Sequence, residues 1–161
     1  MTLQETHTPA EFEILPNETC LTALMDTAKA RPHGVMFTRP ANYEWVNVTA
    51  KEFIREVFDV AKGIIAAGVN QGDRVIIISE TRYEWSLLDF AIWAAGAVSV
   101  PVYPSSSLSQ VRWMTEDSGA VLAITESKDH TELVKHLLVD ASGNPVFSGS
   151  TSKPRRIRDS N

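Results

Sequence analysis

Segment 148–154 has the residue types most similar to those of a phosphate-binding loop, because Ser, Gly and Thr precede Lys153. In a phosphate-binding loop, backbone N–H groups point at the phosphate. Such a loop needs glycines at the closest approach and an ordered strand before it. Here Ser152 stands where a glycine is expected, and no strand-like run precedes the segment. We therefore interpret it as part of a polar tail rather than as a nucleotide site.

Two other features could bind a phosphate or another anion. Gly68 and Gly72 lie close together, but Asp73 stands where a phosphate loop requires lysine, so we assign the glycines to a helix end and a turn. A run of three serines, Ser105-Ser106-Ser107, precedes a predicted helix whose amino terminus could hold an anion. Capping of that helix explains the serines equally well, and we favour it.

The residues that usually bind metals show no ligand spacing. The histidines are His7, His33, His130 and His136, and we expect them to be exposed to solvent. Cys20 is the only cysteine, which excludes an intramolecular disulfide and a zinc site built from cysteines. The sequence therefore predicts no catalytic, cofactor-binding or metal-binding residue in this chain.

Composition is typical of one globular domain. The 161 residues are 43% hydrophobic and 22% charged, and the net charge is −5. Four basic residues cluster near the end, so the body is acidic, which argues against a nucleic-acid surface. No signal peptide or transmembrane segment is evident, because the most apolar stretch, 87–102, is shorter than a membrane span. We expect a cytoplasmic protein, with peripheral contact with a membrane left open.

The first part of the chain predicts a helix and a hairpin. Apolar residues recur at helical spacing and are followed by a proline that ends the helix: Leu21, Leu24, Met25, Ala28 and Pro32. Residues 35–38 and 43–48 are rich in β-branched and aromatic types. They flank Pro40-Ala41-Asn42, which predicts a turn between two strands.

From residue 49 onwards, predicted helices and strands alternate. Three helices open with capping boxes, in which Ser or Thr binds a free backbone N–H and a later Glu or Gln reaches back: Thr49-Ala50-Lys51-Glu52, Thr81-Arg82-Tyr83-Glu84 and Ser107-Leu108-Ser109-Gln110. Each helix ends at a glycine: Gly68, Gly96 and Gly119. Apolar strands are predicted at 75–78, 98–102 and 120–125. A last helix carries Leu133, Val134, Leu137 and Leu138.

Apolar stripes mark the helix faces that we expect to be buried. The first two stripes are Ile54, Phe58, Ala61 and Ile65, and Leu87, Leu88, Ala91, Ile92 and Ala95. Three tryptophans lie beside such stripes and are predicted to pack rather than to stack on a ligand: Trp85, Trp93 and Trp113. The run Val75-Ile76-Ile77-Ile78 is continuously apolar, which predicts a strand covered on both faces.

Strands separated by capped helices predict an α/β fold, a partial amino-terminal subdomain with a short parallel sheet and crossover helices. We divide the chain into a flexible amino terminus (1–10), a domain (11–138) and a disordered or out-of-family tail (139–161). The tail is rich in Ser, Gly, Pro and Arg and has too few bulky apolar residues to form a core.

Ordered blocks along this domain resemble the amino-terminal part of the AMP-binding, adenylate-forming enzymes, specifically the long-chain acyl-CoA synthetases. The similar blocks are Trp45-Val46-Asn47-Val48-Thr49-Ala50-Lys51-Glu52-Phe53, Gly68-Val69-Asn70-Gln71-Gly72-Asp73-Arg74-Val75, Ser79-Glu80-Thr81-Arg82-Tyr83-Glu84-Trp85 and Ala94-Ala95-Gly96-Ala97-Val98-Ser99-Val100-Pro101-Val102-Tyr103-Pro104. A further block, Tyr103-Pro104-Ser105-Ser106-Ser107, is similar to the long-chain branch. The resemblance extends from about residue 11 to residue 138.

The resemblance implies an activity for the full-length family. Its members use ATP and Mg²⁺ to form an acyl-adenylate from a fatty acid, and then transfer the acyl group to coenzyme A. They do so with a phosphate loop ending in Lys, an aromatic-Thr-Glu segment, a ribose-binding Asp and a lysine on a mobile domain, and these 161 residues contain none of them. We therefore expect the amino-terminal part of a long-chain fatty acid–CoA ligase, inactive as this chain alone. We expect fatty acid, ATP and coenzyme A as partners of the full-length family only, and no cofactor bound by this fragment.

Alternatives remain at this point. The chain could come from a truncated or frameshifted synthetase gene, or it could be a stand-alone binding or regulatory module that docks on a full-length synthetase. A small independent nucleotide-binding domain is a third reading, but the strand-to-helix turns lack the glycine fingerprint of such sites.

Overall fold

A computed structural model describes residues 8, 9, 11, 13 and 15–138. The predicted tail at 139–161 and most of the predicted flexible terminus at 1–10 lie outside the described residues, so that division stays a prediction. The elements in chain order are α1 (Cys20–Ala30), β1 (Val35–Ala41), β2 (Glu44–Thr49), α2 (Ala50–Ala66), β3 (Arg74–Ile78), α3 (Tyr83–Ala94), β4 (Val98–Val102), α4 (Leu108–Ser118), β5 (Leu122–Thr125) and α5 (Lys128–Val134).

The predicted hairpin is confirmed, but its turn lies later in the chain than expected. Strands β1 and β2 are antiparallel, and Pro40 and Ala41 belong to β1 rather than to the turn. The turn consists of Asn42 and Tyr43, with φ of 49° and 69°. A two-residue turn of this hand matches the twist of the strands and needs a positive φ at both positions, which Asn tolerates well. Tyr43 is therefore a turn residue and not the first residue of a strand.

A parallel three-stranded sheet forms the centre of the molecule, in the order β4-β3-β5. The buried run in β3 is confirmed as a strand covered on both faces. Ile77 packs with Ala91 and Ile92 of α3 on one face. Ile76 packs with Val111 of α4 and Val134 of α5 on the other. The chain therefore forms the predicted α/β fold, with helices on both sides of the sheet.

The stripe predicted for α2 is wrong by one position along most of the helix. The buried residues are Ala50, Phe53, Val57, Ala61 and Ile64. Phe58 and Ile65 are exposed, Ile54 is half-buried, and only Ala61 of the predicted stripe is buried. Helix α2 carries apolar residues on two adjacent faces, so its amphipathic period did not decide which face packs. Contact with Phe37, Tyr83 and Phe90 decides it.

The second stripe and the tryptophans were predicted with mixed success. Leu87, Ala91 and Ile92 are buried in α3 as expected. Trp85 packs against the core, and Trp93 meets the Phe90 ring edge-on at 5.2 Å. The exception is Trp113, which is 64% exposed on α4, so the packing prediction is wrong for it. In the part of the chain that is described, no helix is long and apolar enough to cross a membrane.

Two of the three predicted capping boxes are confirmed. Thr49 and Glu52 satisfy each other's backbone N–H groups at the start of α2, and Ser107 and Gln110 do the same for α4. The third is wrong, because α3 begins at Tyr83 and no described side chain caps it. Its N-cap position is Arg82, whose guanidinium is held in ion pairs instead.

The contrast between Thr49, which caps α2, and Thr81, which does not cap α3, can be tested by substitution. We expect Thr49→Ala to lower the free energy of unfolding by about 1 kcal/mol, because the first turn of α2 loses a side-chain acceptor. The matched variant Thr81→Ala should change it by less than about 0.5 kcal/mol, since a surface side chain away from such features contributes little. Urea unfolding of both variants gives the comparison. Equal losses would mean that Thr81 does cap a helix in solution.

Candidate functional site

Charged and aromatic residues gather where the parallel strands end. Ser79 and Glu80 follow β3, Tyr103 follows β4 and Glu126 follows β5. The carboxyl ends of parallel strands share one edge of a sheet, and open α/β sheets bind their ligands outside that edge. A cleft of about 460 Å³ opens there between the hairpin and the strand ends. We call it the hairpin cleft; its lining residues are Thr38, Arg39, Pro40, Trp45, Glu80, Thr81, Arg82, Tyr83, Glu84 and Glu126.

One side of the hairpin cleft is a carboxylate–guanidinium cluster. Arg82 Nε donates to Glu84 Oε2 at 2.6 Å, and Arg82 Nη1 lies 3.5 Å from Glu126 Oε1. The Glu126 side chain is only 3% exposed, and its second oxygen accepts the Glu80 backbone N–H at 2.8 Å. The Ser79 hydroxyl lies 3.3 Å from the same oxygen. Arg82 therefore bridges an acidic residue of its own helix to one that follows β5.

The opposite side joins the hairpin to α2 and α3. Arg39 of β1 pairs with Glu56 of α2 at 3.4 Å, and its guanidinium lies 4.4 Å from the centre of the Tyr83 ring. Tyr83 Oη donates to the other oxygen of Glu56 at 2.7 Å. A cation above an aromatic face and a charge-assisted hydrogen bond both favour this arrangement. Three separate elements thus meet at one polar contact.

Electrostatic effects at the cleft fix the protonation of its groups. Burial, followed by the hydrogen bond to Glu56, raises the pKa of the Tyr83 hydroxyl far above its usual value. Burial alone would raise the pKa of Glu84, but hydrogen bonds from Arg82 and from its own backbone N–H outweigh it and leave that pKa lowered. The hydrogen bond to Glu84 raises the pKa of Arg82. At neutral pH the site therefore holds a neutral phenol, a carboxylate and a guanidinium, and none of the three is poised to exchange a proton.

A second cavity, of about 370 Å³, lies beside the first at the ends of β3 and β4. Its walls are mostly apolar: Ser79, Glu80, Thr81, Trp85, Pro101, Val102, Tyr103 and Pro104. Tyr103 is 82% exposed at its rim. Both cavities share Glu80 and Thr81, so they form adjoining hollows along one edge of the sheet.

The glycines and serines considered above as anion-binding residues have structural roles. Gly68 and Gly72 have φ of 93° and 82°, one just after α2 and one in the turn before β3. The Ser107 side chain caps α4. Segment 148–154 and His7 lie outside the described residues. Within the described residues, no group of three or more His, Cys, Asp or Glu side chains could hold a metal ion.

The histidine prediction is correct at two positions and wrong at one. His33 and His136 are exposed. His130 is half-buried at the start of α5, and its Nδ1 atom is buried without a hydrogen-bond partner in the described part of the chain. The backbone N–H of His130 donates to the Ser127 hydroxyl, which caps α5.

Sequence reasoning missed the charged cluster itself. A signal was present, because Ser79 and Glu126 each come directly after an apolar strand, and such positions meet at one sheet edge. The pairing of Arg82 with Glu126, which follows β5, could not be read from spacing. It depends on the strand order, which places β5 beside β3 rather than beside β4.

Comparison with known proteins identifies the family. The sequence profile described as "AMP-binding enzyme" matches residues 24–156. The chain belongs to the AMP-binding enzyme family. Long-chain-fatty-acid–CoA ligase FadD15 of Mycobacterium tuberculosis is 39% identical over 135 residues, which cover 84% of this chain and 22% of that protein. This chain thus spans about a fifth of the length of that AMP-binding relative.

A much shorter relative also matches. Uncharacterized protein Rv1549 of Mycobacterium tuberculosis is 27% identical over 124 residues, which cover 77% of this chain and 66% of that protein. Solved structures share the fold. A putative long-chain-fatty-acid CoA ligase from Rhodopseudomonas palustris aligns with a TM-score of 0.68 at 20% identity, over 86% of this chain and 35% of that one. The described helices and strands correspond to the amino-terminal part of these AMP-binding enzymes.

Proposed function

We propose that this chain serves as the amino-terminal part of a long-chain fatty acid–CoA ligase. The observation that carries the proposal is the 39% identity to FadD15, which runs through 84% of this chain but through only 22% of that ligase. The full reaction would join a fatty acid to coenzyme A through an acyl-adenylate, at the expense of ATP. This chain would contribute scaffold to it.

The geometry of the carboxyl edge supports a scaffold role. Arg39, Arg82 and Tyr83 are each engaged with carboxylates of the chain, at distances of 2.6–3.5 Å. Adenylation needs cationic groups that neutralise charge as it develops on the transferred phosphate. Guanidinium groups held in ion pairs of this kind position the hairpin and helices instead.

We expect this chain alone to release no pyrophosphate and to form no acyl-CoA from ATP, Mg²⁺, a long-chain fatty acid and coenzyme A. The reason is that the sequence lacks the phosphate loop and the other groups that the resemblance implies for catalysis. A coupled pyrophosphate assay measures the first step, and a thiol-consumption assay measures the second.

The assay needs a full-length long-chain ligase as positive control under the same conditions. Turnover by the purified 161-residue chain above the no-enzyme rate would contradict the proposal. It would show that this chain contains a complete adenylating site.

A second candidate function is a binding or regulatory module that docks on a full-length synthetase. The short relative Rv1549 favours it, because two thirds of that protein match this chain. The module should unfold cooperatively and form a complex with a long-chain ligase. Sedimentation of the two proteins together tests this, and two separate boundaries at micromolar concentrations would reject it.

The setting of the protein is also part of the proposal. The single, exposed cysteine and the acidic composition agree with a reducing cytoplasm. Peripheral contact with a membrane is the alternative location. ATP, Mg²⁺ and coenzyme A would be bound by the full-length ligase.

A further inference from the structure

The side chain of Glu126 is held as a bound carboxylate would be. It is 3% exposed, and within the described part of the chain its carboxylate faces the Arg82 guanidinium and accepts the Glu80 backbone N–H, with the Ser79 hydroxyl beside it. These are the groups that proteins use to bind anions from solution. The backbone N–H and the hydroxyl come from residues 46 and 47 positions earlier in the chain, across the gap between two strand ends.

The position of this contact in the sheet is the one where ligands usually enter. Strand β3 continues through α3 to β4 on one side, whereas β5 lies on the other side. The gap between β3 and β5 is therefore the point at which the strand order reverses, and open α/β sheets bind ligands in the crevice there. In this chain Glu126 follows β5 directly and fills that crevice.

We infer that the crevice between the carboxyl ends of β3 and β5 is a carboxylate-binding site that the chain occupies with its own Glu126. Among the described residues, the Arg82 guanidinium and the backbone N–H of Glu80 form the site, and the Ser79 hydroxyl, which also lies 2.9 Å from the Glu80 carbonyl oxygen, stands at its edge. Its ligand class is a small monocarboxylate. Because the side chain lines the hairpin cleft, removal of the carboxylate would open the site to that cleft and to solutes.

Chemical rescue by formate tests the inference. Glu126→Ala should raise the unfolding equilibrium constant about 5- to 150-fold, since the backbone N–H of Glu80 loses its acceptor and Arg82 loses one of its two carboxylate partners. Sodium formate at about 200 mM should then lower that constant by about fivefold relative to sodium chloride of the same ionic strength, if formate binds with a dissociation constant of about 50 mM. The probe is formate itself, and urea unfolding of the full 161-residue chain gives the readout.

Three controls separate a binding site from a merely structural contact. The unaltered chain should show no formate effect beyond that of chloride, and neither should Glu116→Ala, which removes an exposed carboxylate on α4. Glu126→Gln keeps the shape but loses the charge. It should be destabilised at least about fivefold and stay insensitive to formate, because the amide still fills the crevice.

Each remaining outcome counts against the inference. If formate stabilises Glu126→Ala no more than it stabilises the unaltered chain, the crevice does not bind carboxylates. The same holds if Glu126→Gln is as stable as the unaltered chain. Should Glu126→Ala be mostly unfolded in chloride, about 200 mM formate must still raise its ratio of folded to unfolded protein about fivefold, and failure to do so overturns the inference.

Discussion

Phe53→Ala is expected to lower the free energy of unfolding by about 3–5 kcal/mol. The ring is fully buried where three elements meet. Its neighbours are the rings of Phe37, Tyr83 and Phe90, at centroid distances of 4.6, 5.9 and 5.7 Å. Truncation leaves a cavity among rings that cannot collapse into it, and it also removes edge-to-face contacts. Urea unfolding followed by circular dichroism measures the loss.

Phe58→Ala is the matched control, because it makes the same chemical change on the same helix. The Phe58 ring is 37% exposed, so we expect a loss of less than about 1.5 kcal/mol. The pair distinguishes two registers of α2. If Phe58→Ala proves the more damaging substitution, the face predicted from periodicity is the buried one and the structural assignment is wrong.

The second large effect is expected in the central strand. Ile76→Ala and Ile77→Ala should each cost about 2–5 kcal/mol, because neighbouring side chains of β3 point to opposite faces and both faces are covered. If one face of the sheet were exposed to solvent, only one of the two substitutions would lower the free energy of unfolding by this amount. Thermal or urea unfolding of the single variants decides between these cases.

Val98→Ala serves as the control for β3. It lies in the neighbouring strand and is half exposed, so its truncation should cost less than about 1 kcal/mol. If Ile76→Ala or Ile77→Ala lowers the free energy of unfolding by less than about 1 kcal/mol, the helices on that face do not pack against the sheet in solution. The loss of unfolding free energy in the double variant of Ile76 and Ile77 need not equal the sum of the two single losses, since adjacent residues share their surroundings.

Much of the fold could be predicted because local rules agreed with each other. Glycines with positive φ at 68, 96 and 119 end helices, and a left-handed backbone is a local requirement that the residue type reveals. The capping boxes at Thr49 and Ser107 are also local, since all of their partners lie within three residues.

The errors share a cause: the features that were predicted wrongly depend on residues that are distant in the sequence. Helix α2 has apolar side chains on two faces, and contact with Tyr83 and Phe90 selected the one that includes Phe53. The N-cap position of α3 is Arg82 rather than Thr81, and Arg82 forms an ion pair with Glu126, which follows β5. No spacing rule within a single helix contains that information.

The candidate site was harder to predict than the fold for the same reason. Its charged residues come from the hairpin, from the start of α3 and from the segments that follow β3 and β5, and only the strand order brings them together. The family resemblance did not reveal them either, because the motifs it supplies for catalysis are absent from this sequence.

The place of β3 in the sheet has a consequence for biosynthesis. It is the earliest of the three parallel strands to leave the ribosome, yet it lies between the other two in the sheet. Until β4 and β5 have been translated, the run Val75-Ile76-Ile77-Ile78 has two open edges and no complete cover. Such β-branched apolar segments self-associate readily when they are exposed. The nascent chain therefore passes through a stage that favours binding by a chaperone, and this stage ends only when β5 has docked.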